Sequence, residues 1–123
     1  MENCIFCKII KGEIPSYKLY EDENVISFLD VNPFSYGHAL VIPKKHVLDY
    51  EEIDLDTITS INNAGKQVYK LLKEKLNPES IQLVQNNGKL QEVKHYHLHL
   101  IPYYSEEKSG KENVEEVYNY IMN

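Results

Sequence analysis

Arginine is missing from this chain, because all 13 residues counted as Lys+Arg are lysines. No bidentate guanidinium is therefore available for an anion, and a phosphate must be held by histidine, lysine, side-chain amides or backbone N–H groups. Long apolar runs are missing as well. Nothing approaches the roughly 20 residues that cross a bilayer, so no membrane partner or membrane-spanning helix is expected. The opening MENCIFCKII has acidic Glu2 near its start and no charged region followed by a long apolar run, so it does not read as a secretory signal and predicts a cytoplasmic chain. Repeats, low-complexity tracts and Pro/Gly/Ser linkers are also absent, the five prolines and five glycines being spread singly. With 123 residues, 42% hydrophobic and 26% charged, the chain predicts one globular domain over 1–123. Its net charge of -6 repels a polyanion, which argues against nucleic acid as a partner and leaves a small anion open.

The order of elements follows from apolar spacing and from the residues that interrupt it. Ile5 to Ile10 reads as a short helical turn carrying Cys4 and Cys7, closed by Gly12 and broken by Pro15. Tyr17 to Tyr20, a polar turn over Glu21 to Asn24, and Val25 to Leu29 read as a hairpin ending at Asp30. After a loop holding Pro33 and Gly37, Ala39 to Ile42 is a short strand stopped by Pro43. The strongest helix runs from Asp56 to Leu76, where Ile58, Ile61, Ala64, Val68, Leu71 and Leu72 recur at spacings of three and four. Two strands follow, Ile81 to Gln85 and Lys94 to Ile101, separated by an Asn86-Asn87-Gly88 turn. The tail over 105–123 is polar until Val114, Val117, Tyr118 and Ile121 suggest a last helix. Strands in adjacent pairs around one long helix predict an α+β domain, with an antiparallel sheet of about five strands and short terminal helices.

Three of the five histidines stand in His95-Tyr96-His97-Leu98-His99. On a strand these imidazoles share one face, roughly 6.5 to 7 Å apart, and Tyr96, Leu98 and Leu100 share the other. The apolar set is expected to face the core and the histidines a solvent-accessible cleft. A merely solvated face would more readily use Lys, Glu or Thr. Part of the row could ligate zinc. Imidazoles near neutral pH can also attack phosphorus, donate protons and hold phosphate oxygens, which fits phosphoryl or nucleotidyl transfer.

The run His95 to Pro102, H-Y-H-L-H-L-I-P, resembles the histidine triad signature. Cys4 to Ile10, Ile14-Pro15, Phe28-Leu29-Asp30-Val31 and Gly37 to His46 resemble the Hint branch of that family, bacterial type with an N-terminal CxxC, over about 4–102. The resemblance implies a nucleotide hydrolase or nucleotidyl transferase. His97 would be the nucleophile, oriented by the carbonyl of His95 and forming a nucleotidyl-histidine intermediate, and His99 would hold phosphate oxygens. Asp30 would accept from the ribose hydroxyls and Asn86 would lie near the phosphate. Ile5, Phe6, Phe28, Val31 and Leu40 would line a purine pocket, although any of them could be plain core.

Cys4 and Cys7 alone are half a zinc site. In the resemblance His46 and His95 complete it as a closed structural site that staples the N-terminal turn to the sheet; the alternative is two reduced, partly buried cysteines. His38 has either a supporting hydrogen-bonding role or a structural one. A homodimer with joined sheets is likewise implied by the resemblance. The sequence departs from the pattern at Leu90-Gln91-Glu92-Val93, where a glycine is expected in place of Leu90 and the loop after Asn86 is about two residues short. Glu92 stands where the eukaryotic branch has serine, and Tyr103 where many bacterial members have arginine. The expected substrates are purine nucleoside 5'-phosphoramidates. The alternatives are dinucleoside polyphosphates, whose charge Lys44, Lys45, Lys89 and Lys94 could partly offset, or a non-catalytic zinc-stabilised nucleotide-binding role.

Overall fold

Val25–Leu29 and Ala39–Pro43 become strands in which every residue is buried, so each must be covered on both faces. Side-chain alternation sorts them into two cores. Val25, Leu29, Ala39 and Val41 join one hydrophobic cluster, and Ile26, Phe28, Leu40 and Ile42 join the other. The structure, a computed structural model, describes residues 3–123; Met1 and Glu2, the start of the expected domain, lie outside the described residues.

The elements in chain order are α1 (Ile5–Ile10), β1 (Lys18–Glu21), β2 (Val25–Leu29), β3 (Ala39–Pro43), α2 (Leu55–Leu76), β4 (Ser80–Gln85), a 3-10 turn (Gly88–Leu90), β5 (Leu98–Tyr103) and α3 (Val114–Met122). The five strands form one antiparallel sheet in the order β1-β2-β3-β5-β4. The expected α+β architecture is therefore the observed one. Among the described residues no helix is long and apolar enough to cross a membrane.

Helix α2 begins because the Asp54 carboxylate accepts from the Thr57 N–H at 3.1 Å, and it ends at Asn77, which takes the left-handed conformation with φ of 49°. Ile61, Ala64, Val68, Leu72 and Leu76 form its buried stripe against one face of the sheet. Fully burying one such side chain contributes about 1.5 to 3 kcal/mol, which is what fixes the helix across the strands. Helix α3 adds Val117 and Ile121 to the same core. The other face is covered by α1 through Phe6 and Ile9, with Val93 packed beside them, and it is this face that carries the chemistry. Gly37, just before His38, has φ of 90°, and a Cβ there would collide with Leu76 Cδ1, so only glycine lets the loop lie this close to α2.

One element differs from expectation. The last strand starts at Leu98, not Lys94, and the connection from β4 is a segment over 86–97 containing the 3-10 turn. Val41 pairs with Leu98, so an extended ladder would set Pro43 opposite Tyr96. Proline has no N–H to give such a ladder. The Pro43 carbonyl accepts instead from the His95 ring at 2.8 Å, and the Tyr96 N–H goes to the Val47 carbonyl at 2.8 Å. Residues 94–97 leave the sheet as a result.

Candidate active site

The segment 86–97 crosses the α1 face, so the three histidines do not form the expected exposed row. His95, His97 and His99 are only 0%, 5% and 9% exposed. Tyr96, Leu98 and Leu100 do pack against the α2 core, as alternation requires. His97 and His99 line one cavity of 490 Å³, whereas His95 is turned away toward the cysteines.

The tautomers follow from the partners. A carbonyl can only accept, so the 2.8 Å contact between His97 Nδ1 and the His95 carbonyl places the proton on Nδ1 and leaves a lone pair on Nε2. A second chain of bonds sets His99 the opposite way. The Phe34 N–H donates to His38 Nδ1 at 3.1 Å, so neutral His38 carries its proton on Nε2 and donates to His99 Nδ1 at 2.9 Å. Neutral His99 then has its remaining proton on Nε2, free to donate. One imidazole thus offers a lone pair and its neighbour a donor, with ring centroids 4.8 Å apart.

Burial keeps these rings neutral at pH 7. It is the main cause lowering His38 and His99 to about 4, with the nearby His97 adding to it. His97 is also lowered by burial, while its bond to the His95 carbonyl and the charges of Asp30 and Glu92 oppose the shift. Neutral rings are what both roles need, since a protonated His97 has no lone pair.

Asp30 follows β2 directly. One carboxylate oxygen accepts from the Asn32 N–H at 2.9 Å, the turn-capping bond common for Asp after a strand, and the other lies 3.7 Å from His38 Nε2, beyond hydrogen-bond distance. The residue caps its turn and also lines the cavity. Ile5, Phe6, Val31, Leu40 and Asn86 line it too. Phe28 does not. It is buried beneath Phe6 in an edge-on contact at 5.7 Å between centroids, so it supports the pocket wall. Ile5 and Val31 are 46% and 66% exposed, an apolar surface at the cavity mouth suited to a flat apolar ligand.

Phe34 joins the cavity without being marked by the sequence motifs. It lines the cavity, is 69% exposed and stacks on His38 with centroids 5.3 Å apart. Its only sequence signal is a large aromatic residue in an otherwise polar and Pro-containing loop. Tyr104 and the C-terminal tail steady this loop: Tyr104 donates to the Tyr36 carbonyl at 2.8 Å and Lys111 to the Phe34 carbonyl at 3.2 Å.

Cys4, Cys7, His46 and His95 each offer one donor atom, all four within 4.8 Å of one another. The Cys7 sulfur is 3.2 Å from His46 Nδ1 and 3.6 Å from His95 Nδ1, Cys4 is 3.5 Å from His95 Nδ1, and the two Nδ1 atoms are 3.1 Å apart. Zinc with bonds of about 2.3 Å to sulfur and 2.0 to 2.1 Å to nitrogen sets tetrahedral ligands about 3.3 to 3.8 Å apart, so the cluster has the size and donor chemistry for it. The Pro43 carbonyl fixes the proton of His95 on Nε2 and leaves Nδ1 for a metal. His95 thereby reaches both groups, the four-donor cluster with its ring and His97 with its carbonyl.

The family model for the HIT domain matches residues 11–106, and the chain belongs to that family. It is 46% identical over 109 residues to the adenosine 5'-monophosphoramidase of Saccharomyces cerevisiae, covering 87% of this chain and 66% of that one. Among solved structures it is similar to a HIT-like protein of Bartonella henselae, with a TM-score of 0.88 at 36% identity over 98% of this chain and 95% of that one. A zinc-bound histidine triad family protein of Mycobacterium smegmatis superposes with a TM-score of 0.84 at 30% identity, covering 98% and 94% of the two chains.

Proposed function

We propose that this protein hydrolyses purine nucleoside 5'-phosphoramidates to the nucleoside monophosphate and the free amine, through a covalent intermediate on His97. The observation that carries this is the pair of buried, neutral imidazoles held in opposite tautomers over one cavity. His97 Nε2 attacks the α-phosphorus while the His99 Nε2–H donates to a non-bridging oxygen. The P–N bond breaks as the amine takes up a proton from solvent. Water then attacks the phosphorus, gives its proton to solvent and frees His97. Ile5, Phe6, Val31 and Leu40 receive the base, Asp30 the ribose and Asn86 the phosphate. The yeast relative, named as an adenosine 5'-monophosphoramidase, supports this substrate class.

Cys4, Cys7, His46 and His95 hold a structural zinc, supported by the donor geometry and by the zinc-bound mycobacterial relative. A homodimer joined through β4 is supported by its position as an edge strand with Leu83 57% exposed.

Turnover of adenosine phosphoramidate should exceed that of diadenosine polyphosphates by about a hundredfold or more, measured as kcat/KM. Faster polyphosphate hydrolysis would reject the assignment, and absence of both would leave only nucleotide binding. Asp30→Asn tests the sugar separately. Asparagine keeps an oxygen for the Asn32 N–H but presents an amide where a ribose needs an acceptor. Bonds to a charged acceptor are worth about 1.5 to 3 kcal/mol, so kcat/KM for the ribonucleotide should fall roughly tenfold to a hundredfold. A 2'-deoxy substrate should lose less. Equal losses would confine Asp30 to its turn.

A further inference from the structure

The charge around the cavity is unusual for a site that takes a phosphate ester. Asp30 and Glu92 line it, and no lysine does. The chain has no arginine to make up the difference. The lysines that could have offset a polyphosphate are engaged or placed elsewhere. Lys94 donates to the Gly88 and Gln91 carbonyls at 2.9 and 2.8 Å, Lys44 pairs with Glu21 at 2.8 Å, and Lys45 lines a separate hollow with Asp56. Lys89 is exposed on the 3-10 turn and does not line the cavity.

The two carboxylates come from different walls. Asp30 follows β2, whereas Glu92 sits with Leu90 and Val93 on the segment between β4 and β5. Ile5, Glu92 and Val93 also border a neighbouring hollow of 540 Å³, so Glu92 stands at the rim where a group leaving the phosphorus has room to extend. It is exposed and, among the described residues, makes no hydrogen bond or ion pair, which leaves its charge available to a ligand.

We propose that Glu92 forms a leaving-group subsite that selects amines carrying a second positive charge, such as diamines or ammonium-bearing side chains, and disfavours anionic leaving groups. This rests on the phosphoramidase activity proposed above and names its substrate class more narrowly. A carboxylate a few Å from a remote ammonium lowers the free energy of the bound substrate and of its transition state. An anionic tail in the same place is repelled, and Lys94, the lysine that borders the neighbouring hollow, has its ammonium turned to the Gly88 and Gln91 carbonyls.

The test uses the full-length, metal-loaded protein and three adenosine 5'-phosphoramidates that differ only at the end of a four-carbon amine: butylamine, diaminobutane and aminobutyrate. The kcat/KM values should fall in the order cationic, neutral, anionic, with about a fivefold to tenfold preference for the cation over the neutral tail. High salt should shrink that preference, because Glu92 is exposed and screened. Glu92→Gln should bring the ratio to about one, and Glu92→Lys should reverse the order. The ratio is the readout, so a uniform loss of activity in a variant does not imitate the effect. A wild-type ratio near one, or a preference that survives Glu92→Gln, would overturn the subsite. No turnover of any of the three would reject the phosphoramidase activity itself and the subsite with it, whereas turnover without discrimination would reject the subsite alone.

Discussion

His97→Ala should lower turnover of adenosine phosphoramidate to below about one percent of the wild-type rate, because it removes the atom proposed to form the covalent bond. The effect on the fold should be smaller but measurable. His97 is 5% exposed and packs edge-on against Phe6 with centroids 5.1 Å apart, so truncation leaves a gap, and the His95 carbonyl loses its donor. A lost bond of this kind costs about 1 to 3 kcal/mol. His97→Asn supplies an amide that can restore a donor near the carbonyl, yet it has no imidazole lone pair. Both variants should bind adenosine monophosphate within about tenfold of wild type, since His99, Asp30 and the apolar wall remain. Retention of more than about one percent of the activity in either would remove His97 from the nucleophile role.

Loss of the proposed zinc should have the largest effect on stability. Protein purified without chelator should hold about one zinc per chain, and Cys7→Ser or His46→Ala should each abolish most of it. Both cysteines belong to α1 or cap it, because the Cys4 sulfur accepts from the Cys7 N–H at 3.4 Å. A helix of six residues does not hold itself in water. Without the staple it is anchored only by Phe6 and Ile9, and a stability loss of about 3 to 5 kcal/mol corresponds to roughly 10 to 25 °C in Tm for a domain of this size. Ile5 and Phe6 lie between the two cysteines and line the cavity, so the remaining folded molecules should show a raised KM more than a lowered kcat. Wild-type stability and activity in a protein shown to be zinc-free would leave the four donors without a common purpose.

Much of this arrangement is legible in the sequence because it depends on local spacing. The continuous apolar run Ala39 to Ile42, the alternation over Tyr96 to Leu100 and the three-and-four pattern of α2 state which side chains reach the core whatever the rest of the chain does. Cys4, Cys7, His46 and His95 are marked by residue type as candidate metal donors, and the resemblance links them. The start of β5 is different. It is set by Pro43, a residue far away in sequence whose missing N–H and occupied carbonyl end the ladder. The burial of His95 and His97 is hidden for the same reason, since Phe6 of α1 packs edge-on against both from the other end of the chain. The direction of the Phe34–His38–His99 relay depends on which ring nitrogen meets which partner, and no one-dimensional pattern records that. Charge counting fails in a similar way. A sequence with 13 lysines gives no sign that none of them lines the cavity.

The central claim is that two imidazoles divide the work, with His97 taking the nucleotide and His99 holding its oxygens. It is tested most directly by mixing the protein with excess adenosine phosphoramidate, quenching within the first turnover and mapping the adduct by mass spectrometry under conditions that preserve phosphorus–nitrogen bonds. The account predicts a nucleoside monophosphate attached to His97 alone, formed and lost at least as fast as steady-state turnover, and absent from His97→Asn. An adduct on His99 would reverse the two roles. Product formation within the first turnover with no adduct on any histidine would show that water attacks the substrate directly, contradicting the covalent route.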